Sequence, residues 1–233
     1  QRYMPVIRPA ENIFALYKPM DKVGGDFFHF IPFENNKLVG IFISDVSGHG
    51  MPAAMITSMI RIVISDTLSP QEDPASFLLY MNEKLNGEIG GNFITCHYGI
   101  LNSEKGSYVY SNAGHCSPII VTNGKMYRLP VVNRVPLAVY SNEQLKLFEK
   151  TYITQTENIP RGSKLLLFTD GLSEAVPLDH KERMFEYHGM NKAIEENSSK
   201  TPQEFIKNIY RNLSEYRGSE SFDDDICIIC AEV

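Results

Sequence analysis

Apolar and polar positions fall into strand-like runs over the first fifty residues, then helical stretches, then runs again. "NIFALYKP" and "DFFHFIPF" have the β-branched and aromatic content of strands, and the Asn35-Asn36 pair predicts a turn into "LVGIFIS". That third run is apolar at successive positions, the pattern of a strand covered on both faces. From Met51, "MPAAMITSMIRIVISDTL" turns helical, with Pro52 in the first turn, where a missing N–H does no harm. It is apolar almost all round, which predicts a well-buried helix; Met51, Met55 and Met59, at spacing four, are assigned to its core packing. "DPASFLLYMNEKLNGEI" predicts a second helix, starting at Asp73 or Ser76 and stopping at Gly87 or Gly90.

A β-rich middle follows. "FITCHYGIL", "SYVYSNA", "SPIIVTNGKMYRL" and "QLKLFEKTYIT" predict strands, and Asn123-Gly124 is the strongest hairpin signal in the chain. Next come "KLLLFTDG", helical patterns near residues 183–196 and 201–216, and the closing strand "DICIICAEV". This order lacks regular βαβ alternation, so a doubly wound parallel sheet is disfavoured. Mostly antiparallel sheets with helices outside them are expected, an α+β arrangement in which the last strand pairs with an early one. No repeat or linker-like tract interrupts the chain, so residues 1–233 are expected to form one domain.

Composition narrows the partners. The 233 residues are 43% apolar and 21% charged, ordinary for a globular protein with a sizeable core. A net charge of −6 argues against phosphate-backbone binding, so no nucleic-acid partner is expected. No apolar run approaches the roughly 18 residues of a membrane span, and no signal-peptide pattern opens the chain. A cytoplasmic domain without direct membrane insertion is expected. The chain opens at Gln1 rather than Met and reads as a piece of a longer protein, whose upstream part would carry any sensor, regulatory domain or tether. Cys227 and Cys230 spell C-x-x-C inside a strand-like run, where residues three apart point to opposite faces and cannot share a metal. With Cys96 and Cys116, they are expected to be reduced, mostly buried thiols.

Four acidic sites share one local design. "VGGDFF" sets Asp26 before a strand, "IFISDVSG" sets Asp45 at the end of another, and "KLLLFTDGL" repeats that arrangement at Asp170. "SFDDDICII" places Asp223, Asp224 and Asp225 directly before the last strand. One carboxylate at a strand end is usually a solvated turn or a cap. Four of them are a stronger signal, because clustered carboxylates repel and raise one another's pKa unless a cation compensates. No Lys or Arg is expected beside them, since Arg61 and Lys164 lie well away along the chain. Oxygen donors without paired His or Cys favour magnesium or manganese over zinc, and neighbouring glycines let a backbone carbonyl approach. Such clusters most often serve phosphoryl chemistry, with two ions about 4 Å apart.

"GGDFFHF", "DVSGHGMPAAM", "SNAGHCSPII", "LLLFTDGLSEA" and "DDDICII" occur in the order seen in bacterial PPM-type serine/threonine phosphatases. The chain most resembles the branch typified by stage II sporulation protein E and RsbU, with minor agreements at "QRYMP", "YKPMDKVGGD", "GNFITCHYGIL" and "VPLAVYS". The resemblance implies an α–β–β–α sandwich of two mostly antiparallel sheets flanked by helices. It implies two manganese or magnesium ions bridged by Asp45, one completed by Asp26 and the Val46 carbonyl, the other by Asp170 and Asp224. The family register, Asp-Asp or Asp-Asn before an aliphatic residue, selects Asp224-Asp225-Ile226 and leaves Asp223 as a flanking acid. The implied reaction is attack of metal-activated water on phosphoserine or phosphothreonine. The implied substrate is a phosphorylated STAS-type anti-anti-sigma protein. Cys227 stands where the family usually has Thr or Ser, and Ala138 where Gly is common; neither is a ligand position.

His49 is a candidate general acid, but Ser47 occupies the place of the histidine proposed for that role in eukaryotic protein phosphatase 2C relatives. A turn-stabilising role for His49 therefore competes. "DVSGHG" does not fit the G-x-S-x-G elbow of a serine hydrolase. "SNAGH" (Ser111 to His115) reads as a tight turn, with Asn112 and His115 supporting rather than ligating. The two helices after Asp45 are where regulation acts in this branch. "GGDFF" also resembles the GGDEF signature of diguanylate cyclases, but Phe27 stands where that family needs an acid. A catalytically silent partner-binding domain is the other alternative.

Overall fold

The computed structural model describes residues 12–33, 38–66, 72–132, 135–180 and 182–233. "QRYMP" and the turn predicted at Asn35-Asn36 lie outside the described residues. The chain divides into two compact units, each built on a five-stranded sheet in which every strand pair is antiparallel. No helix of the described residues is long and apolar enough to cross a membrane.

The first unit takes residues through Lys22, Cys116–Leu129 and Ile159–Val233. Its sheet runs, in spatial order, β1 (Ile13–Lys18), β10 (Ile226–Glu232), β9 (Lys164–Phe168), β6 (Ile119–Thr122) and β7 (Lys125–Arg128). The last strand therefore pairs with the first, as the sequence predicts, from Ile13↔Ala231 to Lys18↔Ile226. Asn123 and Gly124 close the β6–β7 hairpin with φ of 50° and 72°, the left-handed pair that a tight two-residue turn needs. One face packs against α5 (Asn191–Asn197) and α6 (Pro202–Arg217), burying Leu166, Phe168, Ile228 and Cys230 against Phe205, Ile209 and Leu213. A capping box between Thr201 and Glu204 starts α6, and Gly218 ends it at φ 76°. Cys227 is buried but absent from this cluster, as strand alternation requires. All four cysteines are free.

The second unit takes Val23–His115 and Pro130–Asn158. Its sheet order is β2 (Phe27–Pro32), β3 (Leu38–Val46), β4 (Ile94–Asn102), β5 (Ser107–Ala113) and β8 (Gln155–Asn158). Phe42, Val46, Cys96, Tyr98 and Ile100 pack against α1 (Met51–Ser65) and α2 (Pro74–Leu85), which contribute Ile56, Ile60, Phe77, Leu78 and Met81. Asp73 caps α2 by accepting from the Ser76 N–H at 3.1 Å.

Two expectations are corrected here. "QLKLFEKTYIT" is not a strand: Ser141 and Gln144 form a capping box that starts the helix α3 (Asn142–Leu147), and only β8 beyond Thr154 is extended. Reciprocal satisfaction of two backbone donors outweighs a weak alternation in which Leu145 is the one buried residue of the helix. Nor is α1 buried all round. It buries a narrow stripe of Ala53, Ile56, Ile60 and Ile64, while Met51 and Ile62 are 65% and 67% exposed. Met55 is exposed too, and only Met59 packs against the core, so the methionine spacing does not mark core packing. When every side of a helix is apolar, composition cannot say which side meets the sheet.

Candidate active site

In the second unit, β2 and β3 bring two candidate ligands together by register. Phe27 pairs with Ser44, and the ladder continues through the Val46 N–H, which donates to the Gly25 carbonyl at 3.3 Å. The same register sets Asp26 opposite Asp45. Asp26 is buried and Asp45 half-buried. The Val46 carbonyl lies alongside: a Cβ on Gly25 would sit 3.0 Å from it and 3.3 Å from Ala53 Cβ, so the glycine makes the close approach possible.

Beyond Val46, Ser47 fixes the turn. Its N–H donates to the Phe93 carbonyl at 3.0 Å, its Oγ accepts from the Phe93 N–H at 3.0 Å, and the hydroxyl donates to Asn92 Oδ1 at 3.3 Å. Gly48 and Gly50 take φ of 89° and 73°, which explains why glycines flank His49. His49 itself is exposed. "SNAGH" supports the strand beside Asp45. Asn112 Oδ1 accepts from the His115 N–H at 2.9 Å, and His115 Nδ1 is hydrogen-bonded to Thr95 Oγ1 at 2.9 Å. Thr95 is the β4 partner of Asp45.

In the first unit, β9 runs into the short helical turn α4 (Asp170–Ser173), which places Asp170 at its first position. Thr169 ties this end to β10: its N–H donates to the Cys227 carbonyl at 3.1 Å, and its Oγ1 accepts from the Cys227 N–H at 2.9 Å. A Cβ on Gly171 would lie 1.9 Å from the Asp225 carbonyl oxygen and 3.4 Å from Asp224 Cβ. The two acid-bearing segments therefore meet main chain to main chain. Gly171→Ala is expected to lower stability by about 2–3 kcal/mol, because a carbonyl cannot rotate aside as a side chain can. Calorimetry checks this, and an unchanged Tm would contradict the close approach.

Burial, and then the charge of Glu174, raise the Asp170 pKa above its ordinary value. Burial followed by the Asp170 charge pushes the Cys116 thiol up to about 12, which makes it a poor nucleophile. The three acids before β10 separate by partner. Asp223 Oδ1 accepts from Arg217 Nη2 at 2.8 Å, and Asp225 Oδ1 accepts from the Met20 N–H at 2.7 Å. Asp224 lies exposed between them, its Oδ1 accepting from the Asp225 N–H at 2.8 Å. Arg217 corrects the expectation that no cation stands by these acids. It is six residues from Asp223, at a helix end from which the chain folds back.

Among the described residues, no three His, Cys, Asp or Glu side chains are gathered into a ready-made metal cage. The donors present still fit a hard divalent ion in kind: carboxylates from facing strand ends, a main-chain oxygen opened by glycine, and no neighbouring thiolate.

Two antiparallel sheets with helices make this a PP2C-like α+β fold. The SiaA-PP2C domain of Pseudomonas aeruginosa matches it with a TM-score of 0.81 at 20% identity, covering 97% of this chain and 87% of that one. The PP2C phosphatase domain of SpoIIE from Bacillus subtilis, solved with a fragment of its regulatory domain, gives 0.77 at 16% identity, covering 95% of this chain and 63% of that one. Residues 35–233 match the family described as stage II sporulation protein E (SpoIIE), and the chain belongs to that family. Phosphoserine phosphatase RsbU of Bacillus subtilis (strain 168) is 27% identical over 223 residues, 94% of this chain. The chain spans 63% of the length of RsbU. Membership in this family overturns the cyclase alternative: "GGDFF" is the lead into β2, with Phe27 its first residue.

Proposed function

We propose that residues 1–233 form the catalytic domain of a metal-dependent protein serine/threonine phosphatase. One observation carries this reading: the β2–β3 register sets Asp26 against Asp45 with the Val46 carbonyl beside them, in a chain of the SpoIIE family. Asp45, Asp26 and the Val46 carbonyl in the second unit, and Asp170 and Asp224 in the first, are the residues that would hold manganese or magnesium. Bound there, the ions supply Lewis acidity that activates water and neutralises the phosphoryl oxygens.

The chain's own residues do the positioning. β3 is a buried mount that carries Asp45 next to its last residue, and buried β9 leads through Thr169 into the turn α4 that opens at Asp170. Ser47 ties the chain just after Asp45 to Phe93, and the Thr95–His115 bond braces the β4 residue paired with Asp45. His49, exposed between two glycines, is the candidate for protonating the leaving seryl oxygen; the competing donor is water. The substrate proposed is a phosphorylated STAS-type anti-anti-sigma protein. The naming of RsbU as a phosphoserine phosphatase supports a phosphoserine target.

Inorganic phosphate release is the test, from p-nitrophenyl phosphate and from a phosphoserine-bearing STAS protein, with manganese, with magnesium and with chelator. Turnover with either metal and its loss in chelator are expected. Equal release in chelator, or none under any condition, would overturn the reading.

A further inference from the structure

Arg217 is the last residue of α6, and a guanidinium there is only 7% exposed. Burying a permanent cation is unfavourable unless its donors are met, and here they are met in three directions. Nε donates to the Ser221 carbonyl at 3.2 Å, Nη1 to the Val176 carbonyl at 2.8 Å and Nη2 to Asp223 Oδ1 at 2.8 Å. The Arg217 carbonyl in turn accepts from the Leu178 N–H at 3.3 Å. Gly218, at φ 76°, reverses the chain so that Ser221 and Asp223 come back to the side chain they follow.

These contacts reach two separate segments. Val176 and Leu178 follow the turn that carries Asp170, and Ser221 and Asp223 lead directly to Asp224. The helix behind Arg217 is itself anchored, since Phe205, Ile206, Ile209 and Leu213 lie in the buried core of this unit. We propose that Arg217 is the positioning residue for Asp170 and Asp224, clamping both carboxylate-bearing segments to the rigid end of α6. The proposal rests on the metal-dependent reading above and adds to it a residue that touches neither ion nor substrate.

Charge alone does not account for the arrangement. The Asp223 side chain is 77% exposed, and an ion pair with so exposed a partner contributes little. Two of the three acceptors are neutral carbonyls, which asks for the planar fork of arginine rather than a point charge. By holding both segments before an ion arrives, the fork removes the ordering that binding would otherwise require.

Manganese binding to the whole chain, followed by calorimetry and by electron paramagnetic resonance, tests this. The native chain is expected to bind two ions. Arg217→Met should weaken one of them by about 10- to 100-fold and leave the other within about threefold. Arg217→Lys should not restore the lost affinity, and phosphate release should recover at high manganese. A purely structural arginine would instead lower Tm and leave both affinities unchanged well below Tm, which overturns the proposal. Should Arg217→Met fail to fold, Arg217→Lys decides. It keeps the charge but loses the planar fork, so a weakening of one ion by about 10-fold or more with the other unchanged supports the proposal. Both affinities unchanged overturn it. A native chain that binds neither manganese nor magnesium ends the metal-dependent reading itself, whereas two ions bound equally by native and variant chains end only the role of Arg217.

Discussion

Asp45→Ala is expected to lower manganese-dependent phosphate release by about three orders of magnitude, roughly 4 kcal/mol of transition-state stabilisation. The same substitution is expected to leave the metal-free Tm unchanged or slightly higher. Both halves follow from where the residue stands. Asp45 is half-buried at the end of a strand whose preceding residues, Ile41 to Ser44, are buried, so the fold is held upstream of it. The β2–β3 register puts Asp26 opposite, and two facing carboxylates disfavour one another's charged forms. Removing one relieves that penalty while removing the proposed metal ligand. A carboxylate kept only to finish a strand would behave the other way, with Tm falling and turnover intact. Phosphate release and calorimetry on the one variant separate the cases. Activity within tenfold of the native chain would sink the assignment of Asp45.

Much of this site is legible before any coordinates, because each acid follows or precedes an apolar run long enough to read as a strand. β3, β9 and β10 stand out for one reason: nearly every position is buried, and continuous Val, Ile, Leu and Phe runs record that. The pairing of Asp26 with Asp45 is not legible, since register is a long-range property that local patterns leave open. Arg217 illustrates the same limit more sharply. Its sequence position says only that a helix ends with a basic residue before glycine, an ordinary stop signal. That it turns inward depends on Gly218 bringing Ser221 and Asp223 back within reach. The error at α3 is different in kind. The Ser141-x-x-Gln144 signature is present and outranks the loose alternation of residues 144–153. On α1 the apolar surplus conceals the outward face, and burial of Ile56, Ile60 and Ile64 but not of Met51 and Met55 is decided by the sheet beneath.

His97 is expected to make the second unit sensitive to acid. It lies in β4 at 0% exposure, opposite Asn112 in β5. The Asn112 amide is oriented by its Oδ1, which accepts from the His115 N–H, so its Nδ2 faces His97 Nδ1 at 3.3 Å and donates to it. The imidazole proton then belongs on Nε2, 2.7 Å from Tyr108 Oη. Tyr108 can lie there because Gly99 leaves room: a Cβ at that position would come within 2.1 Å of its hydroxyl. A second proton would set N–H against N–H at Nδ1, in a site that is buried and near His115. Burial first, and then His115, lower the His97 pKa from 6.5 to about 3. The sign follows from linkage. Above pH 6.5 neither state binds the proton, and stability is at its full value. Between pH 6.5 and about 3 the unfolded chain carries one more proton than the folded one, so stability falls as pH falls, by up to about 1.4 kcal/mol per pH unit. The total, on the order of 5 kcal/mol, is a large share of the roughly 5–15 kcal/mol that holds a typical domain together. His97→Gln keeps an acceptor for Asn112 and a donor for Tyr108 but does not titrate. Denaturant unfolding from pH 8 to pH 4 should therefore show the variant and native curves converging as pH falls, with the native chain losing stability faster. Parallel curves would mean that His97 is not the group that acid charges.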